Sequence, residues 1–264
     1  MASFGNLDAA IRALTGRVDL ALAFLLLLSR FGVCFSLMPG LGQGASGLAI
    51  RGSAIVVLAA VSLLNTTILA VPESWGTMVL MFGAEASLGL LLGIIPQIVV
   101  AAAHFAGSLS STAMGLGAAQ LFDPTLGDQS SSLGKMYGDL AILVFLLMNG
   151  HHSIIYAAAG LADTLPPGVF SPSSALTMQV AAATGVIFKV GVLISAPIVS
   201  TLLITQCVLG ILSKTIPSIN VFFLSFPITV GVGLSLASAS LPSVVIVLER
   251  ATTDMGHLLL NILK

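Results

Sequence analysis

Six stretches of the chain, residues 52–72, 86–122, 140–162, 164–188, 190–213 and 215–248, contain no Asp, Glu, Lys or Arg. A helix needs about 20 mostly apolar residues to cross hydrocarbon, so each of these gaps can hold one. Backbone groups in lipid must be satisfied within the protein, and no ten-residue alternation of the barrel kind is present, which leaves helices. The expected fold is all-α: a polytopic membrane-type protein of about six hydrophobic helical units. They are placed near 18–38, 48–71, 77–104, 136–161, 176–213 and 219–247. The 176–213 unit is too long for one simple span at about 1.5 Å per residue, and Gly191 and Pro197 offer places to kink or break it.

Composition excludes the main soluble classes. Only 7% of the 264 residues are charged and 57% are hydrophobic, whereas a typical soluble domain is about 25% charged. The net charge is −1 with no basic block, so a nucleic-acid surface has no charge to stand on. Cys34 and Cys207 each lie in an apolar run and read as small core hydrophobes, not as a disulfide scaffold. Arg12 and Arg17 precede the apolar run Leu20 to Leu28 in the manner of a secretory signal. Arg30 follows at once, however, and no small-residue cleavage site closes the run, so the segment is expected to stay in the mature protein. Counting basic residues at alternate ends sets Arg12, Arg17, Arg250 and Lys264 against Arg51, Lys135 and Lys214, which leans to a cytoplasmic N-terminus. Turn-forming residues mark three connections, Pro39 to Gly47, Phe122 to Gly134 and Pro166 to Ser174. With no fixed-period repeat and no stretch long enough for an extramembrane domain, function is expected in the helices and their connections.

Few residues stand out chemically. Glu85 lies inside an apolar segment, where an ionised carboxylate costs about 2.5–3.5 kcal/mol, and Arg30 and Lys189 are the other embedded charges. Glu85 either lines a water-filled route or engages a partner subunit, or it pairs with Arg30 or Lys189. Residues 105–122 (FAGSLSSTAMGLGAAQLF) are uncharged and rich in Gly, Ser and Ala, a composition that packs closely but holds a regular helix poorly. Two readings remain open: a re-entrant or adaptable loop at a pore or seal, with Met114, Gly115 and Gly117 supplying adaptability, or a close-packed helix interface. Asp123-Pro124 suits a helix start, with Asp capping and Pro at the first helical position. His151 and His152 follow Asn149-Gly150, with no further ligands at metal spacing nearby. There is no HExxH and no GxxxxGK[ST]. No catalytic residue, metal or cofactor is expected.

Taken in order, several segments resemble the FliR family of the flagellar type III export apparatus and its relatives in virulence secretion. They are RFGVCFSLMPG from Arg30, GAEASLGLLLGIIP from Gly83, MGLGAAQLFDP from Met114 through Asp123 and Pro124, Asn149-Gly150-His151, LPPG from Leu165, and IPSINVFFLSFP from Ile216. Within the last, Pro217, Asn220, Phe222, Phe226 and Pro227 carry the pattern, and Ser225 stands where the family would have Gly. The details are more similar to the flagellar branch than to the virulence branch. The resemblance implies a non-enzymatic subunit of an export gate in the bacterial inner membrane, at the flagellar basal body, with part of the helical core on the periplasmic side. Implied partners are FliP and FliQ in a hetero-oligomer, FlhB, FlhA, the basal-body ring, membrane lipid and the exported flagellar polypeptides. It also implies a FliP-like part over 1–175 and a FliQ-like hairpin over 176–264. The stretch around Phe105, Gly107, Met114, Gly115, Gly117, Leu121 and Phe122 would be the loop that plugs the closed gate, beside a methionine-rich ring from FliP.

Two rival readings follow from other features. A secondary transporter would gather Arg30, Glu85 and Lys189 at a midplane site between broken helices. A rhomboid-like intramembrane serine protease would use Ser46 of the Gly44-Ala45-Ser46-Gly47 run with a histidine base.

Overall fold

The structure, a computed structural model, describes residues 2–40, 45–64, 72, 74–116, 131–160, 166–216 and 221–262. Among the described residues the chain forms α1 (Ala2–Leu37), α2 (Ala45–Leu63), α3 (Trp75–Met114), α4 (Ser132–Leu147), α5 (Gly150–Ala159), α6 (Ser174–Thr215) and α7 (Val221–Ile262). Four segments are long and apolar enough to cross a membrane: Val18–Leu37, Trp75–Met114, Leu176–Thr215 and Phe223–Leu258. The pair α4 and α5, bent by 64°, makes a fifth if it is one broken span. The fold is a polytopic all-α membrane protein.

The helix boundaries depart from the expected ones in instructive ways. The 136–161 unit breaks at Asn149, which adopts a left-handed φ of 57°, a conformation that Asn reaches more readily than most residues. Helix α6 runs unbroken past Gly191 and Pro197; the Thr201 hydroxyl donates to the Pro197 carbonyl at 2.8 Å. Helix α7 continues to Ile262 because charges end the apolar gap without ending the helical period. Val244, Leu248, Ala251 and Met255 are all buried at spacings of three and four. At 42 residues each, α6 and α7 are about 60 Å long, twice the thickness of hydrocarbon.

The chain divides into two compact units. The first comprises Met1–Gln97, Asn149–Val180 and Met255–Lys264. In it α1 packs on α2, and α5 packs on both. Helix α3 approaches α1 through small residues. A Cβ on Gly89 would overlap the Arg30 carbonyl, and one on Gly93 would lie 2.8 Å from Leu37 Cβ and 2.9 Å from the Cys34 carbonyl. Leu26, Leu27, Phe31, Cys34, Leu88, Leu92 and Ile154 form the buried core. Gln97 closes the end of α1 by donating to the Leu37 carbonyl at 2.6 Å.

The second unit comprises Ile98–Met148 and Ala181–Asp254. Its centre is the C-terminal part of α3, which meets α4, α6 and α7 in turn. Gly107 sits directly on the backbone of Leu133 and Gly134, Gly191 of α6 sits on Phe105, and Gly233 of α7 sits on Met114. Phe105 and Phe188 add an edge-to-face contact with centroids 5.3 Å apart. Cys207 is exposed on α6, so it is not the core residue that its apolar neighbourhood suggests. Ser131 caps α4, its hydroxyl accepting from Gly134 N–H at 2.8 Å. Ser131→Ala is expected to cost about 0.5–2 kcal/mol, read as a lower thermal midpoint of the purified protein.

Candidate functional site

Two constructions in the molecule bear on function. The first, in the first unit, is built on the embedded charges. Arg30 and Glu85 are both fully buried and form a bidentate pair, Nε to Oε2 at 2.5 Å and Nη2 to Oε1 at 3.0 Å. Burying two charges is tolerable only when their remaining hydrogen-bonding capacity is used. Arg30 Nη1 donates to the Ala158 carbonyl at 3.1 Å, one of the last carbonyls of α5, where a cation also complements the helix dipole. Gly168 N–H donates to Glu85 Oε1 at 2.7 Å.

The Leu165-Pro-Pro-Gly motif thereby acquires a physical reason. Val169 N–H bonds back to the Pro166 carbonyl at 3.3 Å, and Gly168 has a φ of 89°. This is the pattern of a type II turn, with Pro167 at the second position and Gly at the third, where a positive φ is required. The turn aims Gly168 N–H at the carboxylate. One ion pair thus ties α1, α3, the end of α5 and the 166–169 turn together. Lys189 is no part of this cluster; it is exposed on α6.

The second construction is the C-terminal end of α3, in the second unit. Phe105 to Met114, where composition argues against a regular helix, is helical. Packing overrides propensity here, because the small residues let neighbouring backbones approach and the contacts outweigh the poor intrinsic preference. Met114 is buried against Gly233, and Gly115 ends the helix with a φ of 80°. The Thr229 hydroxyl donates to the Met114 carbonyl at 3.0 Å, and the Gln206 amide donates to the Ala113 carbonyl at 3.1 Å.

Of the other residues singled out in the sequence, Asn149 and Gly150 form the bend between α4 and α5. His151 follows in the first turn of α5, with its ring centroid 4.2 Å from that of His152. Phe226 and Pro227 lie on α7, Phe226 exposed. Phe222 belongs to α7 by its backbone. Gly117, Leu121, Phe122, Asp123, Pro124, Pro217 and Asn220 lie outside the described residues. Gln206 and Thr229 carried no signal in the sequence. Neither belongs to a motif, and a threonine two residues after Pro227 is ordinary in a helix.

The sequence pattern of the family described as "Bacterial export proteins, family 1" matches residues 21–255. The chain is similar to the "Flagellar biosynthetic protein FliR" of Pectobacterium carotovorum subsp. carotovorum, with 34% identity over 176 residues, 67% of each chain. Similarity to the protein of the same name in Escherichia coli (strain K12) is 31% over 177 residues, 67% of this chain and 68% of the other. It is also similar to the "Yop proteins translocation protein T" of Yersinia pestis, 28% identical over 213 residues, 78% of this chain and 81% of that one.

Proposed function

Because the chain belongs to the bacterial export proteins of family 1, we propose that it is a core subunit of the flagellar type III export gate and forms part of the channel through which unfolded flagellar polypeptides leave the cytoplasm. The observation that carries this reading is the extent of the family pattern, residues 21–255, which includes both constructions described above. Identities to flagellar relatives run from 26% to 34% and that to the virulence relative is 28%; the reading toward the flagellar branch rests on the two at 34% and 31%.

The protein is a membrane component of a hetero-oligomeric export apparatus and works as a structural element of a channel. In the finer reading, FliP and FliQ complete the gate, with FlhB and FlhA and the basal-body ring alongside, in the inner membrane and partly on its periplasmic side. Residues 1–175 then correspond to a FliP-like part and 176–264 to a FliQ-like part. The two consecutive 42-residue helices in the second part support this division.

The stretch from Phe105 to Phe122, which begins within α3, is the plug in this reading. A peptide channel must block ions when idle yet admit many sequences, which favours small and adaptable apolar residues over fixed polar readers. Met114, buried at the end of α3, and Gly115, with its positive φ, stand inside that stretch, where the helix ends. In-frame deletion of residues 115–120 leaves α3 intact and is expected to let small ions or dyes cross the inner membrane while the complex still assembles. Permeability equal to wild type, with normal amounts of complex, would refute the plug.

A further inference from the structure

The end of α3 is closed by side chains that come from two other helices of the same unit. The last four carbonyls of an α-helix have no partner within it. Here Gly115 N–H donates to the Thr112 carbonyl at 3.0 Å, Gln206 of α6 takes the Ala113 carbonyl and Thr229 of α7 takes the Met114 carbonyl. The Thr229 hydroxyl also faces the Phe226 carbonyl at 3.2 Å, so a single hydrogen is shared between its own helix and α3. Thr229 and Met114 are buried, and water is therefore a poor substitute for this donor. At the next residue the chain turns through the left-handed region, at Gly115.

We infer that Gln206 and Thr229 are positioning residues of the seal: by holding the last two carbonyls of α3 they fix the direction in which the chain leaves that helix. Both donors come from the region C-terminal to residue 175, while the carbonyls they hold come from the region before it. The consequence for the seal rests on the plug reading given above. A side chain at 229 that merely filled space would be replaceable by valine, which has the same shape and no donor. A donor that positions is replaceable by serine alone.

The test uses the full chain in the assembled export complex, with two readouts. One is inner-membrane permeability to a small dye in cells. The other is amide hydrogen exchange of the peptide covering residues 110–116 in the purified complex. Thr229→Val and Gln206→Leu are each expected to raise both by about five-fold, the factor that one hydrogen bond of ordinary net strength corresponds to. Thr229→Ser is expected to stay at the wild-type level in both. Gln206→Leu, at an exposed position, carries the test alone if the valine variant fails to accumulate. Unchanged exchange in these variants overturns the inference. So does wild-type permeability in them when deletion of residues 115–120 leaks. If the deletion itself does not leak, the plug reading falls, and the positioning role stands or falls on the exchange alone.

Discussion

Arg30→Met is expected to remove about 3–5 kcal/mol of stability. The substitution leaves Glu85 fully buried without its cation, facing the Gly168 N–H, and it strips the Ala158 carbonyl of its cation. Glu85→Leu should cost a similar amount from the other side, since a buried guanidinium then loses its carboxylate. The double variant Arg30→Met with Glu85→Leu removes both charges and should recover much of the loss, because the desolvation of the ions disappears with them. It should not recover everything. The Gly168 N–H and the Ala158 carbonyl each lose the partner that the pair supplied, at up to about 1–3 kcal/mol each. Thermal midpoints of the four proteins in detergent, with their steady-state levels in the membrane, measure the coupling. Additive losses in the double variant would mean that the pair does not act as a unit.

The second large effect is steric. Gly107→Ala places a Cβ 2.5 Å from Gly134 Cα and from the Leu133 carbonyl, and 2.7 Å from Gly134 N. These are backbone atoms, so α3 and α4 must separate, and overpacking of this kind costs about 1–3 kcal/mol or more. Gly83→Ala is the matched control on the same helix. Nothing lies within 4 Å of its added Cβ, and relieving a helix of an interior glycine is expected to gain about 0.5–1 kcal/mol. The opposite signs, read as thermal midpoints, separate packing from propensity. Equal behaviour of the two variants would contradict the close approach of α3 to α4.

Charge spacing made the architecture readable, because in a chain with so few ionisable residues the apolar stretches between them are the helices. Their ends were less readable. Glu249 and Arg250 close an apolar gap but not α7, since Ala251 and Met255 continue the buried stripe beyond them. Low propensity left the helix from Phe105 to Met114 as one of two readings, and contact with α4, α6 and α7 decides for it. Arg30 and Glu85 were identifiable because a charge in an apolar run requires a partner, and the choice between Arg30 and Lys189 was not, because it depends on which helices meet. Gln206 and Thr229 were invisible for the same reason: their donors act on carbonyls about 90 and 115 residues away along the chain. The role of Gly168 was half visible. Pro-Pro-Gly announces a turn, but only the fold reveals that the turn supplies a ligand for a carboxylate.

The length of the two C-terminal helices has a consequence for the cell. A rod of about 60 Å exceeds a bilayer core of about 30 Å by as much again, and α6 presents Leu193, Ile204 and Ile211 on its outer side. Lipid cannot sheathe all of that surface, and water will not. A copy made without its neighbours is left with greasy flanks projecting from the bilayer, open to proteases and to aggregation. Supply of this subunit should therefore follow that of the proteins which clothe it, with surplus copies cleared rapidly.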